Sequence, residues 1–289
     1  MTHYSACRLH GYRPTQCYAP IIGVDEQMGI RNKAWALGVQ LMMVSGLAWA
    51  APFTPAQITN PPPYAWPGLT LDIIGITPGQ KIDAVKQALQ SHFTGQKIAT
   101  LSSSLKLDAV STTSFISRIE SAFPGEVEAR DAVKAWFSSP ASGSQVISVA
   151  RWLSYSADEM AKAPRVADMQ AALAKQYGQP STVVGSVMTW TLKAGKSVAC
   201  NASICTKGTS LHYASRELSQ YVTELEAGPD VVIRADITPQ ANNNERVGAA
   251  AVTMLDIKRR GEAAKTDLDA LRAEQERQQK SSPGNLPKM

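Results

Sequence analysis

Residues Pro164–Trp190, "PRVADMQAALAKQYGQPSTVVGSVMTW", decide how the rest of the chain reads. Met169, Leu173 and Tyr177 recur every fourth position, so one apolar face runs along a helix. Gly178 supplies the stop, because glycine ends a helix without a Cβ penalty. The run from Ser181, "STVVGSVMTWTLK", is rich in Val, Thr and Trp and reads as a strand.

An earlier stretch has the same order. After a short apolar strand-like run, "LTLDIIGI", Pro78 opens "PGQKIDAVKQALQSHF". There Ile82, Val85, Leu89 and Phe93 line one side of a helix. "KIATLSSSLKLDAV", "TSFISRIESAF" and "SQVISVARWLSYS" follow as strands, with Glu126–Phe137 read as an inserted helix. Behind Trp190, "SLHYASRELSQYVTEL" has helical spacing, and "DVVIRADI" and "GAAAVTMLDI" are strands joined through "TPQANNNERVG". Residues 258–280 form a last helix whose seam, Ile257, Gly261, Ala264, Leu268 and Leu271, is too short for a coiled coil and suits packing on the last sheet. The expected fold class is α+β. It comprises two tandem modules, 69–143 and 144–280, each a helix followed by a three-stranded antiparallel sheet, with a C-terminal helix; the two sheets are separate or joined into one.

The N-terminus fixes a compartment. Arg31 and Lys33 precede a mostly apolar run from Ala34 to Leu47, and Ala48-Trp49-Ala50 offers small residues where a signal peptidase needs them. Residues 28–50 are therefore read as a signal peptide cut between Ala50 and Ala51, which places the mature chain in the periplasm or outside the cell. The run is shorter than the roughly 20 apolar residues of a spanning helix; an uncleaved anchor is the alternative. In both cases the membrane is touched only through the leader. Residues 1–27 are read as an upstream extension foreign to the mature protein. Their His3, Cys7, His10 and Cys17 lack the spacing of a zinc site, so no metal is expected. Residues 51–68, with their prolines, form an extended linker, and 281–289 a disordered tail.

Composition excludes more than it selects. Residues 1–50 hold four Lys/Arg and two Asp/Glu of the chain's 29 and 24, which leaves 25 basic against 22 acidic and a net charge of +3. With no cluster of basic and aromatic residues, nucleic-acid binding is not expected. Cys200 and Cys205, in "CNASIC", form a disulfide in an oxidising compartment; a redox pair would more typically be C-x-x-C.

"DIIGITPGQKIDAVKQAL" resembles the Gly-rich opening of bacterial envelope proteins, and "RWLSYSADEMAKAPRVADMQAALAKQYGQPSTVVGSVMTW" resembles a strand, helix, Tyr-Gly-x-Pro, strand unit of uncharacterised exported bacterial proteins. Helix, Gly-x-Pro, then a strand ending in an aromatic is similar to the small outer-membrane lipoproteins of the β-barrel assembly machinery, the SmpA/OmlA-like fold. The resemblance covers about 110 of 289 residues. It implies a non-enzymatic role in protein contact at the envelope, and it transfers no binding residue. This chain lacks the acylated cysteine of those lipoproteins and would carry their module twice.

No H-E-x-x-H, G-x-S-x-G, S-x-x-K or phosphate-loop motif is present, and no cofactor is expected. His92 reads as a helix-end cation and His212 as an ordinary partly exposed histidine. Asp158-Glu159 and Glu224/Glu226 read as solvated surface. Trp136, Trp152, Tyr155, Tyr177 and Trp190 read as core of the second half; the other reading makes Trp152, Tyr155 and Trp190 an exposed platform for a glycan or peptide. The sequence thus points to an exported, non-catalytic protein-binding or envelope-assembly factor with a protein partner. The alternative is a secreted hydrolase whose nucleophile and base lie far apart in the chain.

Overall fold

The structure, a computed structural model, describes residues 52–55, 64, 66, 68–121, 130–155, 159–199, 211, 213–215 and 217–281. The described part forms one continuous antiparallel sheet of nine strands, with helices on both faces. The first half runs α1 (Ile82–His92), β1 (Ile98–Ser103), a small separate hairpin β2 (Lys106–Leu107) and β3 (Val110–Ser111), then β4 (Phe115–Ser121), β5 (Arg130–Phe137) and β6 (Val146–Ser154). The second half runs α2 (Val166–Tyr177), β7 (Thr182–Val184), β8 (Val187–Lys193), β9 (Lys196–Ser197), α3 (Leu218–Ala227), β10 (Val231–Gln240), β11 (Asn243–Asp256) and α4 (Ile257–Ser281). The strand order is β1-β4-β5-β6-β11-β10-β8-β7, with β9 also on β8.

Separate three-stranded modules therefore do not form. Each half lays four strands as a meander, and the halves fuse through the β6–β11 pair. The reason is that β6 and β11 carry apolar side chains on both faces, with Val149, Ala150, Met254 and Leu255 all buried, so neither could serve as an edge. The boundary expected at 143/144 falls inside the β5–β6 hairpin.

Residues Arg130–Phe137, expected as helix, are a strand, because Val133, Ala135 and Phe137 point to one core while Trp136 points to the other. "STVVGSVMTWTLK" is not one strand but a hairpin, β7 and β8, turned at Gly185 with φ 59°.

The first face is covered by α1 and α2, whose Val85, Leu89, Leu173 and Tyr177 pack on Ile119, Val133, Trp190, Ile233 and Met254. Among the described residues the second face is covered only in part, by α3, α4 and Tyr213, over Trp136, Ile147 and Ala150. Burial of each such large side chain stabilises by about 1.5–3 kcal/mol before conformational entropy is charged against it.

The segments entering α1 and α2 are anchored alike. Val146 N–H donates to the Gln80 carbonyl at 2.9 Å, and Val247 N–H donates to the Pro164 carbonyl at 3.0 Å. Lys81 bridges Gln145 as Arg165 bridges Arg246. Arg151 and Val252 stand at the same remove from these matched valines and are also direct cross-strand partners. The midline between the halves therefore passes through that pair, beneath α1 and α2.

Candidate functional site

The feature nearest that midline is a turn. "DIIGI", expected as a strand, closes on itself: Ile73 and Ile76 exchange both backbone hydrogen bonds at 3.0 Å. The two residues between them have positive φ, 52° at Ile74 and 78° at Gly75. This is the pattern of a type I′ turn, whose first central position favours Asn or Gly. A β-branched residue there is strained by roughly 1–3 kcal/mol and persists only where its surroundings over-determine it. They do so here. Gly75 N–H donates to Asp72 Oδ1 at 2.9 Å, while the Asp72 carbonyl accepts from Gln176 Nε2 at 2.9 Å and from Tyr177 Oη at 2.8 Å. Two side chains at the end of α2 thus clamp the turn. Burial first, and the Asp72 charge second, push the Tyr177 phenol up, so it stays a donor.

Ile74 forms one wall of a groove of about 210 Å³. Met169, Leu173 and Tyr177 form the wall opposite, and Leu153, Ala250 and Val252 the floor. The groove is smaller than a usual small-molecule pocket and large enough for one or two apolar side chains. Met169 gives it an adaptable lining.

Arg151 supplies the one charged side chain of the lining. Its Nε donates to Asp131 Oδ1 at 2.9 Å and its Nη2 to Oδ2 at 2.6 Å, a fork on a carboxylate. His92, the last residue of α1, reaches Asp131 Oδ2 with Nε2 at 3.1 Å. Partial burial pushes the Asp131 carboxyl up, but the hydrogen bonds from Arg151 and His92 outweigh it and hold the group below the usual carboxylate range. Asp131 accepts from both Arg151 and His92, an arrangement that suits positioning of Arg151 better than proton transfer.

The residues expected to share an aromatic surface do not meet on one. Trp190 is wholly buried, its Nε1 donating to the Gly178 carbonyl at 2.8 Å and its ring edge-on to Tyr177 at 5.5 Å. Tyr155 packs against the first core and Trp152 against the second, on opposite faces of the sheet. His92 does end a helix as expected, but it serves the sheet through Asp131. Glu224, expected as solvated surface, instead pairs with the buried guanidinium of Arg260. Cys200, Cys205, His212, Asp158 and the Ala50–Ala51 junction lie outside the described residues. Ile74, Asp131 and Arg151 were not singled out by the sequence. Asp131 was hidden by the helical reading of its segment, and the strain at Ile74 has no sequence signal beyond an Ile-Gly pair in a turn that prefers Asn-Gly.

Among the described residues, no three His, Cys, Asp or Glu side chains gather as a metal site, and no helix is long and apolar enough to cross a membrane. No known protein family, no curated protein and no solved structure matches the chain.

Proposed function

We propose that the chain is an exported, non-catalytic binding protein of the cell envelope, in which a twice-used helix-plus-meander module presents a groove to an apolar segment of a protein partner. The observation that carries the reading is Ile74. A strained β-branched residue is held by three hydrogen bonds around its turn against the groove, where an unstrained turn would have served the fold as well. The groove takes side chains rather than a reaction: its lining is apolar apart from Gln176, the Tyr177 hydroxyl, which Asp72 already engages, and the Arg151 guanidinium, which Asp131 already neutralises. Placement beyond the inner membrane rests on the leader, Ala34–Leu47 with its A-x-A site.

The test is a photo-crosslinking amino acid at Met169 in cells producing the full chain, with Lys265 on the exposed side of α4 as control. A discrete adduct from position 169, absent from 265 and diminished by Leu153→Asp in the groove floor, is the expected result. Equal adducts from both positions, or none from 169, would remove the groove from the proposal.

A further inference from the structure

The second face of the sheet carries a different kind of hollow, independent of the α1–α2 groove. Cross-strand partners share a face, and the register places Trp152, Ala251 and Asp236 in one row across β6, β11 and β10. Ser154, Ala249 and Thr238 form the next row. The outer members of each row stand two strands apart, about 10 Å at ordinary strand spacing. Between them the floor holds only alanine methyls. The result is a hollow of about 260 Å³, open to solvent among the described residues, with the indole of Trp152 and the Ser154 hydroxyl on the β6 side and the Asp236 carboxylate and Thr238 hydroxyl on the β10 side.

We propose that this hollow binds a pyranose ring, free or at the end of a glycan. A sugar ring has an apolar C–H face and an edge of hydroxyls, and the two walls answer these separately. Trp152 offers a flat polarisable surface, its ring position set by edge contact with Trp136 at 6.5 Å and by Lys134 over it at 5.4 Å. Asp236 offers charge-assisted acceptance to sugar hydroxyls. It is held in place by Arg234, whose Nε donates to Oδ1 at 3.1 Å and Oδ2 at 2.8 Å and whose Nη2 donates to Oδ1 at 2.7 Å. Two carboxylate oxygens accept more bonds than these three, so Asp236 retains capacity for a ligand. Ser154 and Thr238 add donors as well as acceptors. An apolar peptide side chain would fill the width but would desolvate Asp236 without compensation, whereas ring hydroxyls replace the lost water. A nucleotide would bring its phosphates to a carboxylate.

The experiment uses the mature full chain and two probes. The probes are single sugars, glucose and N-acetylglucosamine, followed by saturation-transfer NMR, and insoluble glycan, followed by co-sedimentation. Ala251→Leu fills the floor while removing no polar group, and Asp236→Ala removes the acceptor from a half-buried strand position; far-ultraviolet circular dichroism checks that both remain folded. The expected result is saturable binding of at least one sugar with a Kd of about 1 mM, ordinary for one small ring, weakened at least tenfold by each substitution. Sedimentation with glycan together with binding of the free ring identifies a terminal sugar as the source; binding of free sugar alone identifies a soluble ligand. No sugar or glycan binding, binding indifferent to Ala251→Leu, or binding of an apolar peptide that sugar does not displace would each overturn the proposal.

Discussion

The phenol of Tyr177 donates a 2.8 Å hydrogen bond to the carbonyl of Asp72, and through it the C-terminal end of α2 holds the strained turn at Ile74. Tyr177→Phe keeps the ring packed against Trp190 and removes the donor alone. The Asp72 carbonyl retains Gln176, so the expected loss is about 1 kcal/mol rather than the larger cost of an orphaned acceptor. Urea unfolding with an unchanged m value checks it.

Ile74 itself gives a sharper case, because strain and contact pull in opposite directions. Asn suits the left-handed region that Ile74 occupies at φ 52°, so Ile74→Asn relieves the turn. Some apolar contact with the core edge is lost in exchange. The expected outcome is stabilisation of about 1 kcal/mol together with weaker crosslinking from Met169. A destabilised variant would mean that Ile74 is ordinary core and that its backbone conformation costs little.

Asp256 ends β11 wholly out of solvent. Burial pushes its carboxyl from 3.8 up to about 6, against the pull of Arg259 and of hydrogen bonds from the Arg259 amide and guanidinium and from Tyr64. The folded chain thus holds this proton more tightly than the unfolded chain. Its contribution to stability is fully present below 3.8 and is lost as pH rises through about 6. The size follows from 1.36 kcal/mol per unit and comes to roughly 3 kcal/mol. Unfolding free energies of wild type and Asp256→Asn should therefore diverge in slope between these values, the variant being the flatter.

Asp131 acts in the opposite sense. Its carboxyl is held below the ordinary value, so its contribution is present above that value and is lost as pH falls through the lowered one. Arg151→Leu, which removes the fork and leaves an apolar side chain beside the groove, should be less stable than wild type at neutral pH. The difference should shrink on acidification as Asp131 protonates in both. A gap constant down to strong acid would show that Arg151 acts through packing alone.

Helices α1, α2 and α4 were legible in the sequence because each keeps an apolar stripe that the core requires, as Leu89 with Phe93 and Leu173 with Tyr177 do. The strand β5 was not legible, since alternation is masked where both faces are buried and Trp136 reads as apolar as Val133. The single sheet was equally hidden. Whether β6 meets β11 depends on two strands about a hundred residues apart, Arg151 opposite Val252, and no local pattern encodes that pairing. The groove inherits the same obscurity, because its floor is that pairing and its wall is a turn whose residues contradict turn preference.

Gly261 tests the other side of the molecule. It sits in the first turns of α4, where glycine weakens a helix by about 1 kcal/mol relative to alanine. Propensity alone therefore favours Gly261→Ala. A Cβ at this position, however, would meet the Tyr221 carbonyl at 3.0 Å and collide with the side chain of Leu225, both on α3. A backbone carbonyl cannot give way as a flexible side-chain end can, so α3 must move, and with it the ring of Tyr221 stacked on Tyr213 and lying over Arg260. Overpacking of this kind costs typically 1–3 kcal/mol, more than propensity returns. Gly261→Ala should lower the midpoint of thermal unfolding, and it should cost less in a Leu225→Gly background, which lacks the colliding Cβ, a coupling that independent sites would not show. A stabilised single variant would mean that α3 and α4 do not cross this closely.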